Sequence, residues 1–392
     1  MQVRRLRTPE EFFAAHMIYN TCFHVRVNDL EEERASAAED RSECWGTFDD
    51  DGTLMSFVVN NHLTTYFDGH PVMTGGIGGV STLPEYRGRG ASGAVFEKLL
   101  PAAYERGEVF SALFPFSEAF YRRFGYEVLC MQNDYTMKPE ALAGYRFDGR
   151  AELWHPGDPL DEIMALYEDF AGRCSLAGVR TEDSMRREHV GRAYYRDRVY
   201  CYLLREGDEA VAFVVFQDDR VPGRGPILAV GDGAWKDGRG LRAILGFLSR
   251  FSADYETVEF YTPGNVELFS LIRSPKSFDI EKKTRHDFMA RTVNVRRALE
   301  LLANPCGVSF TVRVADPLIP QNSGTWRVSA DGVRETEEAP DIACGIGGFT
   351  QMVLGAVSLE EAALSDDVTL INAPEILRTV FRKKAILNRE CF

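Results

Sequence analysis

The sequence predicts a mixed α+β chain in which two similar halves are followed by a smaller third unit. Three observations carry this. Residues 1–146 alternate helix and strand patterns, residues 147–290 repeat a similar rhythm, and from 291 the rhythm changes. A length of 392 residues accommodates two or three domains. With 45% hydrophobic and 27% charged residues, the composition is that of a folded globular chain and not of a disordered one.

In the first half, Pro9–Asn20 reads as a helix and Glu31–Glu43 as a charged, exposed helix. Thr53–Tyr66 reads as two strands split by the turn signal Asn60-Asn61. Met73–Thr82 is a strand, Gly90–Glu105 a helix, Glu108–Pro115 a strand, Ser117–Phe124 a short helix and Tyr126–Met137 a last strand. In the second half, helices are expected at Asp161–Ala171 and Thr181–Tyr195. Strands follow at Val199–Leu204, Glu209–Gln217 and Ile227–Gly231, then a helix at Leu241–Phe251 and a strand at Val258–Tyr261. In the third unit VNVRRALELL is a helix, and two strands flank a Pro/Asn/Gly loop. Asp366–Leu370 is a short strand there, and Ala373–Lys383 a helix.

The chemistry is concentrated between Gly78 and Val128. RGRGASG, residues 87–93, lies between a strand and a helix. Glycines let backbone approach an anion, and the helix start offers unpaired N–H groups and the positive end of its dipole. Arg87 and Arg89 add charge, and Val80–Thr82 can offer backbone groups to the amides of a pantetheine arm. The alternative is an ordinary turn that uses glycine for packing. Downstream, SEAFYRRFGYE places Ser117 as a helix N-cap and Tyr121 one turn on, on the same face. A phenol is a suitable proton donor to a departing thiolate; the alternative is that Tyr121, Phe124 and Tyr126 are core aromatics. Together the two elements suggest a phosphate-bearing carrier, acetyl-coenzyme A foremost.

The halves can be overlaid. VSTLPEYRGRGASGAVFEKL from Val80 set over VGDGAWKDGRGLRAILGFLS from Val230 brings Arg89-Gly90 onto Arg239-Gly240. Asp237 then replaces Arg87 and Asp232 replaces Thr82, and carboxylates oppose an anion. The second half is therefore expected to have lost the carrier, unless the likeness of two strand-turn-helix units is chance. The eight cysteines form no CxxC pair and the seven histidines no HxxxH or HExxH, so reduced thiols in a cytosolic protein and no metal are expected. No apolar run predicts a membrane span, and MQVRRLRTPEEFF has no signal-peptide pattern. A net charge of −14 disfavours nucleic acid and suits cationic small molecules or basic segments, or simply solubility.

Strand, RGRGAS, strand and FYRRFGY resemble the GNAT superfamily of N-acetyltransferases. Its signature, Gln/Arg-x-x-Gly-x-Gly/Ala, is met by Arg87 and Gly90 and departed from at Ser92. Over the full length, the order of three units is similar to the enhanced intracellular survival (Eis) family of aminoglycoside-type N-acetyltransferases. VADPLIPQNSGTWRV has the look of that family's sterol-carrier-like module. The resemblance implies two GNAT-type folds in tandem, 1–146 active and 147–290 degenerate, then a sterol-carrier-protein-like α+β domain at 291–392. It implies acetyl-CoA as co-substrate, bound by Val80, Ser81 and Thr82 through the strand. Arg87, Gly88, Arg89, Gly90, Ala91, Ser92 and Gly93 would wrap the pyrophosphate, and Ser117 and Glu118 would touch the pantetheine arm. Tyr121 would be the proton donor, in preference to Tyr126, and the carboxylate of Phe392 the general base. Such a carboxylate, with an ordinary pKa of about 3.5, needs burial to act as a base. Cys391 departs from the acidic residue expected there, with Glu390 before it. Residues from Phe23 to Trp45 would wall the acceptor site. The acceptor implied is a primary amine on a cation such as an aminoglycoside, acetylated at several positions if the pocket is large. Polyamines and protein lysines are alternatives, as is a lipid-binding role with the transferase folds as scaffold. The resemblance also implies a cytoplasmic homohexamer.

Overall fold

The structure is a computed structural model and describes all residues except 41, 130–131, 192–197, 221–222, 224, 273–277 and 391–392. The chain opens with β1 (Gln2–Arg5), α1 (Pro9–Cys22), α2 (Leu30–Glu39), β2 (Glu43–Phe48), β3 (Leu54–Phe67) and β4 (His70–Thr82). It continues with α3 (Ala91–Glu105), β5 (Phe110–Leu113), α4 (Glu118–Arg122) and β6 (Glu127–Leu129). Next come β7 (Gln132–Met137), β8 (Arg150–Trp154), α5 (Asp161–Gly172), β9 (Cys174–Ser175), α6 (Glu182–Ser184) and β10 (Val199–Glu206). These are followed by β11 (Glu209–Asp219), β12 (Ile227–Trp235), α7 (Gly238–Leu248), β13 (Thr257–Pro263) and β14 (Glu281–Arg285). The remainder is β15 (Phe288–Thr292), α8 (Val295–Leu301), β16 (Phe310–Ala315), β17 (Gly324–Ser329), β18 (Gly332–Glu335) and β19 (Ile342–Gly345), then α9 (Ile346–Leu354), α10 (Leu359–Ala362), β20 (Val368–Leu370) and β21 (Ala385–Ile386).

Two seven-stranded sheets, ordered β1-β2-β3-β4-β5-β15-β6 and β14-β7-β13-β12-β11-β10-β8, are followed by a five-stranded sheet ordered β18-β17-β16-β19-β20. The first two exchange strands across the expected limits at 146 and 290. β7 pairs with β13 and β14 in the second sheet, while β15 enters the first between β5 and β6. Tyr126–Met137, expected as one strand, is therefore two strands in different sheets.

A helix follows β4 in the first fold and β12 in the second, and each buries its apolar stripe on the sheet. Phe96, Leu99, Leu100 and Ala103 of α3 are fully buried, as are Leu245 and Leu248 of α7; each large apolar side chain so buried contributes roughly 2 kcal/mol. Several expectations are corrected. β3 is one strand from Leu54 to Phe67 with no turn at Asn60-Asn61. There the two amides are absorbed by side-chain bonds, Asn60 Nδ2 donating to Glu108 (3.0 Å) and Asn61 Nδ2 to the Gly76 carbonyl (3.0 Å). Glu43 starts β2 and does not end a helix. The Thr181–Tyr195 helix is a capped turn followed by wide π-type turns over Met185–Val190, and its expected end reaches residues outside those described. Ala373–Lys383 holds only a 3-10 turn at Glu375–Thr379.

The third unit is bolted to the first fold by buried polar contacts. Arg291 of β15 pairs with Asp316, both side chains fully buried, and donates to the Phe124 carbonyl. Lys384 pairs with Asp68 at 2.6 Å, and Gln351 of α9 donates to the Val128 carbonyl at 3.0 Å.

Candidate functional site

The cleft of the first fold is made by a strand that loses its partner. β4 pairs in parallel with β5 only from Thr74–Ile77 to Phe110–Leu113. Just beyond, Gly79 takes a left-handed φ of +60° and the β3–β4 register slips, a bulge that bends the end of β4. Thr82 and Ser81 still pair with Ser56 and Phe57 of β3. Their other edge, with Val80, is thus offered to a ligand rather than to β5. A chain of amides such as a pantetheine arm can add to such an edge as a strand would.

The turn that follows is shaped by φ and not by space. Gly88 and Gly90 sit at +75° and +82°, and a Cβ at either would meet nothing within 4 Å. Only glycine adopts this backbone without strain. Gly90 is the N-cap of α3 and supplies no capping side chain. The first-turn N–H groups around Ala91, Ser92 and Gly93 are left for an anion. Arg87 and Arg89 are exposed beside them. Arg87 is anchored by donating from Nε to the Thr82 carbonyl at 3.2 Å, and Arg89 lies over the Tyr86 ring. Ser92, the departure from the signature, ties helix to strand: its hydroxyl meets those of Thr82 (2.6 Å) and Ser56 (3.0 Å).

In the second fold the same elements recur and are filled. β12 pairs with β13 only from Ile227 to Ala229, and a register slip at Gly231 marks the equivalent bulge. The N-terminus of α7 is capped by Asp237, whose carboxylate accepts from the N–H of Arg239 (2.7 Å) and Gly240 (3.4 Å). A carboxylate of the chain itself thus caps α7, whereas α3 has no capping side chain.

Past β5 the chain turns into α4. Ser117 caps it, accepting from Phe120 N at 3.4 Å, and Glu118 is exposed in its first turn. Tyr121 is 1% exposed and packs edge-on against Phe96, Phe116 and Phe120. Burial, with Tyr126 adding to it, pushes its hydroxyl pKa well up. The Tyr126 hydroxyl is engaged by Ser111 at 2.7 Å, whereas that of Tyr121 has no hydrogen bond among the described residues. The end of α1 reaches the same strand: Cys22 Sγ donates to the Thr82 carbonyl at 3.4 Å, and the stacked, exposed pair Tyr19–Phe23 lies on that helix end. No sequence spacing signalled Cys22, since sixty residues separate the partners.

A cavity of about 1180 Å³ adjoins β5 and opens onto the second fold; Phe114, Gln132, His189, Asp232, Tyr261 and Glu390 are among its walls. Six acidic residues and five Lys or Arg line it, so it is mixed in charge. Glu188, His189 and Glu390 each bring one potential metal-ligand atom within 4.8 Å of the others, a grouping that spacing along the sequence does not reveal. Phe392 and Cys391 lie outside the described residues.

Comparison with known proteins agrees with this geometry. Residues 2–129 match the acetyltransferase (GNAT) domain family, and residues 295–386 match the sterol carrier protein domain family. An uncharacterized N-acetyltransferase of Streptomyces avermitilis is 26% identical over 352 residues, covering 83% of this chain and 85% of the relative. Among solved structures, a GCN5-related N-acetyltransferase from Anabaena variabilis superposes with a TM-score of 0.83 at 18% identity over the whole of both chains. Eis1 from Mycobacterium abscessus does so with a TM-score of 0.81 at 20% identity, again over both whole chains. These likenesses show the fold. The chain is an N-acetyltransferase whose residues 2–129 form an acetyltransferase (GNAT) domain and whose residues 295–386 form a sterol carrier protein domain. Its architecture of two transferase-like folds and that third domain is the one seen in Eis1.

Proposed function

We propose that the first fold binds acetyl-CoA and transfers its acetyl group to a primary amine of a cationic acceptor, an aminoglycoside being the leading class. The observation that carries this is the contrast between the folds: α3 begins at an uncapped glycine beside an unpaired strand edge, whereas α7 is closed by Asp237. Val80, Ser81 and Thr82 hold the pantetheine arm, the 87–93 turn holds the pyrophosphate, and Ser117 and Glu118 flank the arm's end.

The amine nitrogen attacks the thioester carbonyl, a C–N bond forms, and the C–S bond breaks to release the thiolate. Holding both reactants in one cleft supplies much of the acceleration. The ammonium proton passes to the carboxylate of Phe392, directly or through water. Tyr121 donates to the sulfur. Because burial keeps its phenol protonated and a thiolate is the weaker base, its first service is a hydrogen bond to developing negative charge. A lipid-carrier role is less favoured, since Phe310, Phe349, Met352, Val353 and Phe381 fill the core of the third domain. A cytoplasmic homohexamer belongs to the same reading, and light scattering on the purified chain checks the assembly.

The test is a thiol-release assay with acetyl-CoA and a panel of aminoglycosides, polyamines and lysine peptides, run on the full chain and on a chain ending at Cys391. Turnover with amino-sugars that is lost with Phe392 supports the whole reading. Turnover confined to peptides moves the acceptor to protein lysines, and turnover in both chains moves the base elsewhere.

A further inference from the structure

The last described residues of the chain lie in the cleft of the second fold. β21 pairs in parallel with β9, Ala385 opposite Cys174, and Leu387 N donates to the Ser175 carbonyl at 3.1 Å. Asn388 Nδ2 then donates to the Leu176 carbonyl at 3.3 Å. Arg389 enters where β12 and β13 part: it donates to Asp232 Oδ1 at 2.7 Å and to the Gly231 carbonyl at 3.4 Å. Its guanidinium lies 3.5 Å from the centre of the Tyr261 ring. Glu390 accepts from Arg180 Nε at 3.1 Å and lies 3.6 Å from His189 Nε2. Arg180 and His189 both turn back to Asp232, at 2.7 and 3.0 Å. Gly178 allows the approach, since a Cβ there would stand 2.6 Å from Glu390 Oε1.

We infer that the cleft of the second fold is a peptide-binding site whose ligand is the chain's own segment Asn388–Glu390, with Asp232, Arg180 and His189 as positioning residues for the residues that follow. This deepens the proposed function and rests on Phe392 as the base. Asp232 stands one residue beyond the Gly231 bulge, as Ser81 stands shortly beyond the Gly79 bulge of β4. The strand end assigned to a carrier in the first fold by the proposed function meets the Arg389 side chain of the tail in the second. A buried aspartate in a strand is costly unless paired, and here it is met by two arginines and a histidine, one of them from the tail. The cavity lined by Arg389 and Glu390 is also lined by Phe114, which follows β5 of the first fold.

The experiment follows carboxypeptidase release of Phe392 by mass spectrometry, with kcat and KM measured in parallel, on the full chain and on Asp232→Asn, Arg389→Ala and Arg389→Lys. Release reports the population in which the tail is free. Losing a hydrogen bond to a charged group should speed release about ten-fold in Asp232→Asn and Arg389→Ala. In those variants kcat falls while KM for acetyl-CoA holds, and Arg389→Lys recovers part of both. Unchanged release in Arg389→Ala, which alters only the tail and so decides the matter even if Asp232→Asn fails to fold, overturns the inference. Faster release with unchanged kcat upholds the peptide site and removes Phe392 from the role of base.

Discussion

Tyr121 is the proton donor that we propose, and its environment bears on that role. Its ring is locked among Phe96, Phe116 and Phe120, and its hydroxyl pKa is raised by burial. In the proposed role, a phenol whose pKa burial raises would give a hydrogen bond to the developing thiolate. Tyr121→Phe should lower kcat about 10²-fold, the lower end for a positioned proton donor, with KM for acetyl-CoA unchanged in steady-state kinetics. Tyr126→Phe forfeits the bond to Ser111, about 1 kcal/mol of stability, and leaves turnover close to that of the parent; equal losses of turnover in the two variants would contradict the assignment. At this scale the sequence was informative about residues joined by short spacing, such as Ser117 and Tyr121. It was silent on Cys22 with Thr82 and on Arg180 with Asp232 and Glu390, because nothing local records contacts made across the fold. Asp232 and Asp237 were visible as misplaced carboxylates in the overlay of the halves, but the use made of each required the partners to be seen.

Among elements, the contrast between α3 and α7 is the informative one. Gly90→Asp gives α3 the carboxylate that α7 already has. Its left-handed φ costs about 1 kcal/mol, and the added charge opposes the pyrophosphate. We expect KM for acetyl-CoA to rise at least about ten-fold, with kcat at saturation less affected. The tail site is also sensitive to pH. His189 loses some basicity to burial, but the carboxylates of Asp232 at 3.0 Å and Glu390 at 3.6 Å outweigh this and raise its pKa. Glu390 is raised by burial, yet His189 and Arg180 hold it low, and Arg180, Arg389 and His189 hold Asp232 lower still. Tyr167 lies under Arg180, and Glu188 stands beside His189. A raised histidine stabilises below its unfolded pKa and ceases to as pH rises through its folded one; the depressed carboxylates stabilise above their unfolded pKa values and cease to in acid. Carboxypeptidase release of the tail, corrected for the protease's own pH profile, should therefore accelerate both above the folded pKa of His189 and below about pH 4. A flat profile contradicts the network. The strand and helix order of the first fold was legible from periodicity, but the Asn60-Asn61 pair misled, since side chains that signal a turn when solvated can donate hydrogen bonds inside a sheet, as both Nδ2 groups do here.

For the whole molecule, the exchange of β7 and β15 makes the first two folds interdependent, and the third domain closes on them through Arg291–Asp316. Asp316 also accepts from Asn322 Nδ2 and from the N–H groups of Leu318 and Ile319. Asp316→Ala leaves the Arg291 charge buried without its partner and should cost about 3–5 kcal/mol in chemical denaturation. The number of units was legible from the change of rhythm at 291. The strand exchange was not, because a strand's pattern shows that it pairs and not with which sheet. On the proposed reading, two copies of one fold divide the work, the first holding acetyl-CoA and the second holding the tail. Calorimetric titration of the full chain with coenzyme A tests this most directly. One site per chain is expected, weakened at least about ten-fold in Gly90→Asp and unchanged in Asp237→Ala; a second site, or binding that is unchanged in Gly90→Asp and weakened in Asp237→Ala, would contradict it.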